Sequence, residues 1–329
     1  MRFLSGLRRR FYRSLEAANA PLVRHAERQI ILQSQVLARL NRERTRLQGI
    51  QDAEFCAFSQ WGEDGILDWL IERLPEIPPR FVEFGVSDYQ ESNTRLLLQL
   101  RNWGGLVIDG SPQYIDSIRN QEIHWRQDLT SLSAYIDRDN INGLIADAGY
   151  RESIGILSID IDGNDYWVWE AIDAVDPVIV VCEYNAVFGD RYAITVPYAQ
   201  DFYRTRAHHS NLYFGASIQA LTGLAKRKGY TFVGTTSSGC NAFFIRNDRA
   251  PAIVKALDGI WAFPSVTREA RDPEGRLTFV SGPARAAVIG HLPVVDVRRG
   301  VETPLSSCTD LYSREWSAAT KVELAAGPT

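Results

Sequence analysis

The residues best suited to chemistry in this chain stand where apolar runs give way to acid-and-glycine turns. Two runs lie close together: Arg80-Phe81-Val82-Glu83-Phe84-Gly85-Val86-Ser87-Asp88 and Gly105-Leu106-Val107-Ile108-Asp109-Gly110-Ser111. Apolar runs of this length read as strands buried on both faces of a parallel sheet. A glycine just after the first strand lets backbone approach a ligand closely. A carboxylate at the end of the second accepts both hydroxyls of a ribose. Together they describe a pocket for a nucleoside-bearing cofactor. A dinucleotide site would show Gly-x-Gly-x-x-Gly, with the pyrophosphate on a helix N-terminus. Here the turn holds one glycine and two carboxylates, Glu83 and Asp88. Carboxylates repel a pyrophosphate and suit a cofactor that carries an amino group and a sulfonium charge.

A third run, Ser158-Ile159-Asp160-Ile161-Asp162-Gly163-Asn164-Asp165, ends in three acids, and a fourth ends in Glu183-Tyr184-Asn185. Two positions apart on an extended segment, Asp160 and Asp162 should project from one face. Each carboxylate then raises the other's proton affinity unless a cation neutralises them. With Glu183 and Asn185 from the neighbouring strand end they make four oxygen ligands suited to Mg²⁺ or Mn²⁺. Without a metal, Asp162 or Asp165 would act as general base on a hydroxyl. A plain acidic turn capping the helix that begins near Tyr166 is the third reading. His208, beside His209, would take a proton from an acceptor or complete a metal shell, or hold its loop together. Tyr166, Trp167, Trp169, Tyr184, Phe188, Tyr192, Tyr198 and Tyr203 offer rings either for stacking a sugar or for core packing.

The elements that must position these groups alternate. A helix over roughly Asp64–Arg73 is ended by Pro75, Pro78 and Pro79 and leads into strand one, Phe81–Phe84. A helix begins near Ser92-Asn93 and runs to Leu100, before strand two at Leu106–Ile108. Another spans Pro112–Asn120. Ile123–Arg126 reads as a poor third strand ending near Asp128, and Ser133–Ala148 as helix. Strand four runs from Ile154 to Gly163 and strand five from Pro177 to Asn185. The connection from Ala186 to Phe214 is too rich in aromatics and histidines for a passive loop. A helix over Ser217–Lys228 then precedes a hairpin-like pair, Tyr230–Gly234 and Asn241–Ile245. The pattern is an α/β, Rossmann-like, seven-stranded, mostly parallel sheet with one antiparallel strand, whose sites lie at the carboxyl ends of the strands.

With 329 residues the chain can bury such a core and carry additions at both ends. The division expected is a basic helical or coiled-coil extension (1–50), the catalytic domain (51–250) and a C-terminal appendage packed on the body (251–329). The appendage should be disordered beyond about Lys321. The net charge of -4 hides an asymmetry, since residues 1–50 hold eleven arginines against three glutamates. A basic tail on an acidic body suggests an anionic surface or a protein partner and no nucleic acid. Pro21 would start a second helical segment. From there Val23, Ala26, Ile30, Leu37, Leu40 and Leu47 make a weak heptad, enough for a homo-oligomer. Leu7–Arg13 mixes cations with aromatics and would lie on a membrane surface. Cys56, Cys182, Cys240 and Cys308 are far apart, which fits buried thiols in a reducing compartment. No apolar run approaches the ~20 residues of a membrane span, so the cytoplasm is expected, with peripheral contact at the inner face of the membrane.

The span from Phe58 to Ile245 resembles the FkbM-like branch of the class I S-adenosylmethionine-dependent methyltransferases. The matching stretches are Ser59-Gln60-Trp61-Gly62-Glu63-Asp64-Gly65, Phe81-Val82-Glu83-Phe84-Gly85, Glu91-Ser92-Asn93-Thr94 and Ser158–Asp165. The resemblance implies that Glu83 and Gly85 line the methionine end of S-adenosyl-L-methionine. It implies that Asp109 holds the ribose, that Asp128 accepts from the adenine amino group, and that Gln60 and Asn93 meet the cofactor carboxylate or nearby backbone. Asp160 would serve cofactor and ion together. The chain departs from the common form at Asp162, where glutamate is frequent, and in its two terminal additions, so the acceptor is left open. The activity expected is O-methylation of a hydroxyl on a saccharide, glycan intermediate or other small molecule. The alternatives are a metal-dependent glycosyltransferase using Asp160-x-Asp162 and a non-catalytic scaffold of the same fold.

Overall fold

The computed structural model describes residues 2–324. It begins with one long helix, α1 (Arg2–Glu43), which runs straight through Pro21 rather than restarting there. Its side chains take opposite roles on two faces. Ser34, Ala38 and Asn41 are buried against the body, while Leu22, Leu32, Val36, Leu37 and Leu40 are exposed. The expected heptad therefore splits: Ile30 is half-buried and Leu47 fully buried, while Val23, Ala26, Leu37 and Leu40 face outward. The side chains of Leu7–Arg13 lie outside the described residues. Among the described residues no helix is long and apolar enough to cross a membrane.

The body follows the expected alternation: α2 (Glu63–Arg73), β1 (Arg80–Phe84), α3 (Arg95–Arg101), β2 (Gly104–Asp109), α4 (Pro112–Asn120), α5 (Glu122–Arg126), β3 (Leu129–Ser133), α6 (Ile141–Asp147), β4 (Glu152–Ile159), α7 (Asp165–Ala171) and β5 (Val175–Glu183). Then come a short β6 (Ile194–Thr195), α8 (Arg204–Ala207), α9 (Ile218–Arg227), β7 (Tyr230–Thr235) and β8 (Asn241–Arg246). The main sheet has seven strands in the order β3-β2-β1-β4-β5-β8-β7. All its pairings are parallel except those of β8, which is antiparallel to both β5 and β7. This is the expected Rossmann-like, mostly parallel seven-stranded sheet. Its central strands are largely apolar because helices cover both faces; β2 is buried at every position.

Two local expectations are corrected. Ile123–Arg126 is a helical turn, held by the Arg126–Glu122 ion pair at 2.9 Å, and the third strand starts only at Leu129. The helix expected over Ser133–Ala148 shrinks to α6. The Asp137 carboxylate accepts from Asp139 N and Asn140 N, each at 2.8 Å, and this local turn competes with helix over residues 134–140.

The C-terminal region is more ordered than its proline-broken sequence suggests. It contributes α10 (Ala250–Val254), β9 (Trp261–Ala262), α11 (Ala284–Val288), β10 (Pro293–Asp296), β11 (Val301–Pro304), α12 (Arg314–Ser317) and β12 (Val322–Glu323). β10 pairs with both β11 and β6, forming a small second sheet. Beneath it lies a separate core in which Val187, Phe188, Leu212 and Tyr213 pack with Ala286, Ile289, Val294 and Leu305. The end expected to be disordered instead pairs β12 with β9; the last five residues are outside the described range.

Candidate active site

Strand register assembles the site. Phe84 lies beside Ile108 on β2 and beside Ile159 on β4, Ile159 beside Cys182 on β5, and Glu183 beside Asn241 on β8. One residue further along, the parallel strand ends set Asp109, Gly85, Asp160 and Glu183 in a row that Asn241 completes. At a strand spacing of about 4.8 Å the row spans roughly 19 Å. Two cavities open along it. The larger, about 670 Å³, covers the β2 end, and the smaller, about 320 Å³, the β5–β8 end. Gly85, Ser87, Asp160, Asp162, Arg204, Asn211 and Glu269 border both.

In the larger cavity the Asp109 carboxylate accepts from Ser111 N at 2.8 Å and from Ser87 N at 2.9 Å. These bonds lock its orientation and leave lone pairs on both oxygens. Burial pushes its pKa up, against the pull of the two N–H donors. Gly85 has φ 71, and a Cβ there would stand 1.6 Å from Asp160 O. No other residue type lets β1 and β4 close so tightly. Ser111 caps α4, and Ala134, Tyr135 and Ile136 complete the wall from the loop that α6 failed to absorb.

Two of the acids in the matching motifs build the frame. Glu83 accepts from Ser92 Oγ at 2.6 Å, Asn93 N at 2.9 Å, Thr94 N at 3.2 Å and the Thr94 hydroxyl. Burial raises its pKa while those four donors pull it down. Glu83 borders the smaller cavity beside Gly85, and its oxygens also hold the segment before α3. Asp64 holds a segment in the same way on the other side. One of its oxygens accepts from Ala57 N, Phe58 N, Ser59 N and Ser59 Oγ at 2.7–2.9 Å. That nest sets Gln60 and Trp61 at the cavity wall. Asn93 reaches the same wall, its amide donating to Ser158 Oγ at 3.1 Å.

At the centre of the row β4 stops at Ile159, so Asp160 and Asp162 do not share a strand face; Asp162 sits in a turn with φ 55. The turn is fixed by Asp165, which accepts from Ile161 N at 2.8 Å and Gly163 N at 2.9 Å. Burial lifts the Asp165 pKa to about 6. Asp162 turns outward to an ion pair with Arg204 at 2.5 Å. Asp160 and Glu183 lie within hydrogen-bonding reach, and both have strongly raised pKa values. Burial is the main cause, their mutual repulsion and that of Asp162 and Asp165 add to it, and Arg204 opposes it. The set that could hold a metal is therefore Asp160, Asp165 and Glu183, whose ligand oxygens lie within 4.8 Å of one another. Asp162 and Asn185 are not in it. The Asn185 amide donates to Leu212 O and Phe214 O, both at 2.9 Å, and its oxygen accepts from Val187 N. It pins the connection after β5.

Three further expectations fail on position. Asp128 is exposed just before β3, beside Gly104 at the amino edge of the sheet, opposite the cavities. His208 borders neither cavity; its ring stacks on His209 at 4.1 Å and bonds Ser210 Oγ at 2.7 Å. Asp165 is buried under the turn and likewise reaches neither cavity. Sequence reasoning missed Arg204, which stacks on Phe214 at 3.7 Å and donates to Asn211 O at 2.8 Å. Burial pulls its pKa down, but the charges of Glu183, Asp162 and Asp160 more than offset this. A cation in an aromatic-rich connection after an acidic strand end was the available signal.

No protein-family model matches the sequence, and no curated protein matches it. Solved structures with a similar fold include the N-terminal domain of EvdMO1 with SAH bound, at 11% identity and a TM-score of 0.39, over 57% of this chain and 82% of that one. A methyltransferase from Clostridium acetobutylicum ATCC 824, described as S-adenosylmethionine-dependent, aligns at 10% identity and TM-score 0.35, over 56% and 90%. Precorrin-6y C5,15-methyltransferase from Geobacter metallireducens GS-15 aligns at 13% and 0.33, over 60% and 94%. At such identities and TM-scores the chemistry of the site rests on its own residues.

Proposed function

We propose that this protein is an S-adenosylmethionine-dependent methyltransferase acting on a hydroxyl of a saccharide or other small acceptor. The observation that carries the reading is the row Asp109–Gly85–Asp160–Glu183 at the carboxyl ends of four adjacent strands, with connected cavities on either side of Asp160. The donor set fits the cofactor: Asp109 offers an oriented carboxylate for two ribose hydroxyls, and Gly85 leaves backbone bare where the methionine portion would pass. Gln60 and Asn93 offer amides for its carboxylate. The cofactor, when bound, supplies the methyl group. The chain supplies alignment, and a carboxylate to receive the hydroxyl proton.

That carboxylate is read here as Asp160, not Asp162, because Asp162 is spent on Arg204. Glu183 shares the charge with Asp160, and Arg204 keeps the pair from holding its proton too tightly. The Asp160, Asp165 and Glu183 oxygens also fit Mg²⁺ or Mn²⁺, which would orient an acceptor oxygen there. The outward turn of Asp162 argues against an Asp-x-Asp glycosyltransferase site. The test is calorimetry with S-adenosylhomocysteine, UDP and GDP, each with and without Mn²⁺. Saturable binding of S-adenosylhomocysteine alone is expected; binding of a nucleoside diphosphate in its place would sink the assignment.

A further inference from the structure

At its β5–β8 end the smaller cavity is lined by residues with buried polar atoms that lack partners. Glu183 and Asn241 face each other across the antiparallel pair. Tyr184 N donates to Cys240 O at 2.9 Å, so the facing pair sits between ladder bonds, where side chains come closest. Asn241 is only 6% exposed. Its amide orientation is dictated by Glu63, a fully buried acid that accepts from Asn241 Nδ2 at 2.8 Å and from Trp61 N at 3.0 Å. A carboxylate at that point can only accept, so Nδ2 must face it and Oδ1 must face away. Asn241 Oδ1 has no hydrogen-bond partner in the protein, nor has Glu183 Oε2, and both atoms are buried. Both residues line the cavity.

Among the described residues, Arg204 lends its charge to Glu183, but no hydrogen bond from a cationic side chain reaches either oxygen. Arg204 is held by Asp162 and Asn211 O, and the guanidinium of Arg285 is spread over the carbonyls of Ser265, Thr267 and Gly282. The other charged groups on this wall include Glu91 and Glu269, which repel an anionic ligand. Two adjacent buried acceptors, one of them a carboxylate, call for a ligand group that donates several hydrogen bonds and carries positive charge. A hydroxyl donates once; an ammonium donates three times. A divalent metal would favour Glu183 together with Asp160 and Asp165, a set that does not include Asn241.

Resting on the methyltransferase reading, we propose that the acceptor is an amine-bearing polyol. Its primary ammonium docks between Glu183 Oε2 and Asn241 Oδ1, and a neighbouring hydroxyl faces Asp160. Trp61 Nε1, a buried donor also without a partner, stands on the same wall for an acceptor oxygen of the ligand. Glu63 is a positioning residue that sets the Asn241 amide.

The test uses the full-length chain saturated with S-adenosylhomocysteine at neutral pH, titrated with glucosamine, glucose and N-acetylglucosamine and followed by saturation-transfer NMR. Glucosamine should bind at least about tenfold more tightly than the other two, as expected for charge-assisted bonds. Asn241→Ala should erase that preference without altering S-adenosylhomocysteine affinity. Glu63→Gln, which lets the Asn241 amide flip, should reduce the preference with the overall fold retained by circular dichroism. Equal binding of the three sugars, no saturable glucosamine binding, or a preference untouched by both variants overturns the inference alone. Failure to bind S-adenosylhomocysteine overturns the cofactor reading and this inference with it.

Discussion

The two cavities that meet at Asp160 are walled by different kinds of chain. The larger one is made mainly by the turns that directly follow β1, β2, β3 and β4, with Phe202–Thr205, Asn211 and Glu269 closing its outer side. The smaller one gathers Gln60 and Trp61 from before β1, the turn at Gly239–Asn241, and Ser265–Arg285 from the C-terminal region. A site built from strand-end turns is fixed by the sheet itself. A site gathered from distant segments depends on buried polar links such as Glu63–Asn241 and Asp64 with its four donors. The first arrangement suits a ligand common to many proteins of one fold; the second can vary while the sheet stays as it is.

That contrast can be broken at its seam. Gly85→Ala places a methyl group against Asp160 O in a left-handed backbone conformation and should affect both cavities at once. We expect a loss of about 3 kcal/mol or more in urea unfolding, and no measurable S-adenosylhomocysteine binding. Retention of both would mean that β1 and β4 need not close as described. Asp109→Ala should act on the larger cavity alone, weakening S-adenosylhomocysteine binding by about a hundredfold in calorimetry through two lost charge-assisted bonds.

Arg204 borders both cavities and should reveal itself through pH. Burial and neighbouring acids hold Asp160 and Glu183 above the ordinary carboxylate range, so the pair keeps a proton until pH rises past its elevated pKa. Methyl transfer should therefore increase with pH across that region and then level off. Arg204→Ala removes the charge that favours deprotonation, so the rising limb should move to higher pH, while Asn241→Ala should leave it in place. A limb that stays put in Arg204→Ala would remove Arg204 from the proton balance. The smallest effect should come from Ser92→Ala, which takes one of four donors from Glu83. It should cost about 1 kcal/mol in thermal or urea unfolding and leave ligand affinity within twofold.

How much of this was legible in the primary structure differs between the two cavities. Asp109, Gly85 and Asp160 announced themselves as polar or flexible residues ending apolar runs, and their roles follow from strand ends meeting in register. Glu83 looked like a ligand-facing acid by the same logic. It does border a cavity, but four donors from Ser92, Asn93 and Thr94 also surround it, and a run of small polar residues ten positions away gives no sign of pointing back. Asp128 was misplaced for a local reason: taking Ile123–Arg126 as the strand shifted the register of β3 and carried the acid to the wrong edge. Asp162 was misread because two-residue spacing implies a shared face only while the strand continues, and β4 ends at Ile159. Arg204, Asn241 and Glu63 gave little signal, since the acid paired with Arg204 lies 42 positions away and Glu63 and Asn241 lie 178 positions apart.

What the chain alone determined is the order of its strands and the acids at their tips, because burial on both faces writes a run of apolar residues that any reader can find. Which of those acids look outward and which are consumed in holding loops was decided only when the strands aligned. A carboxylate satisfied by buried backbone donors and one left facing a cavity have the same letter in a sequence; their difference is a matter of which atoms come within three ångströms.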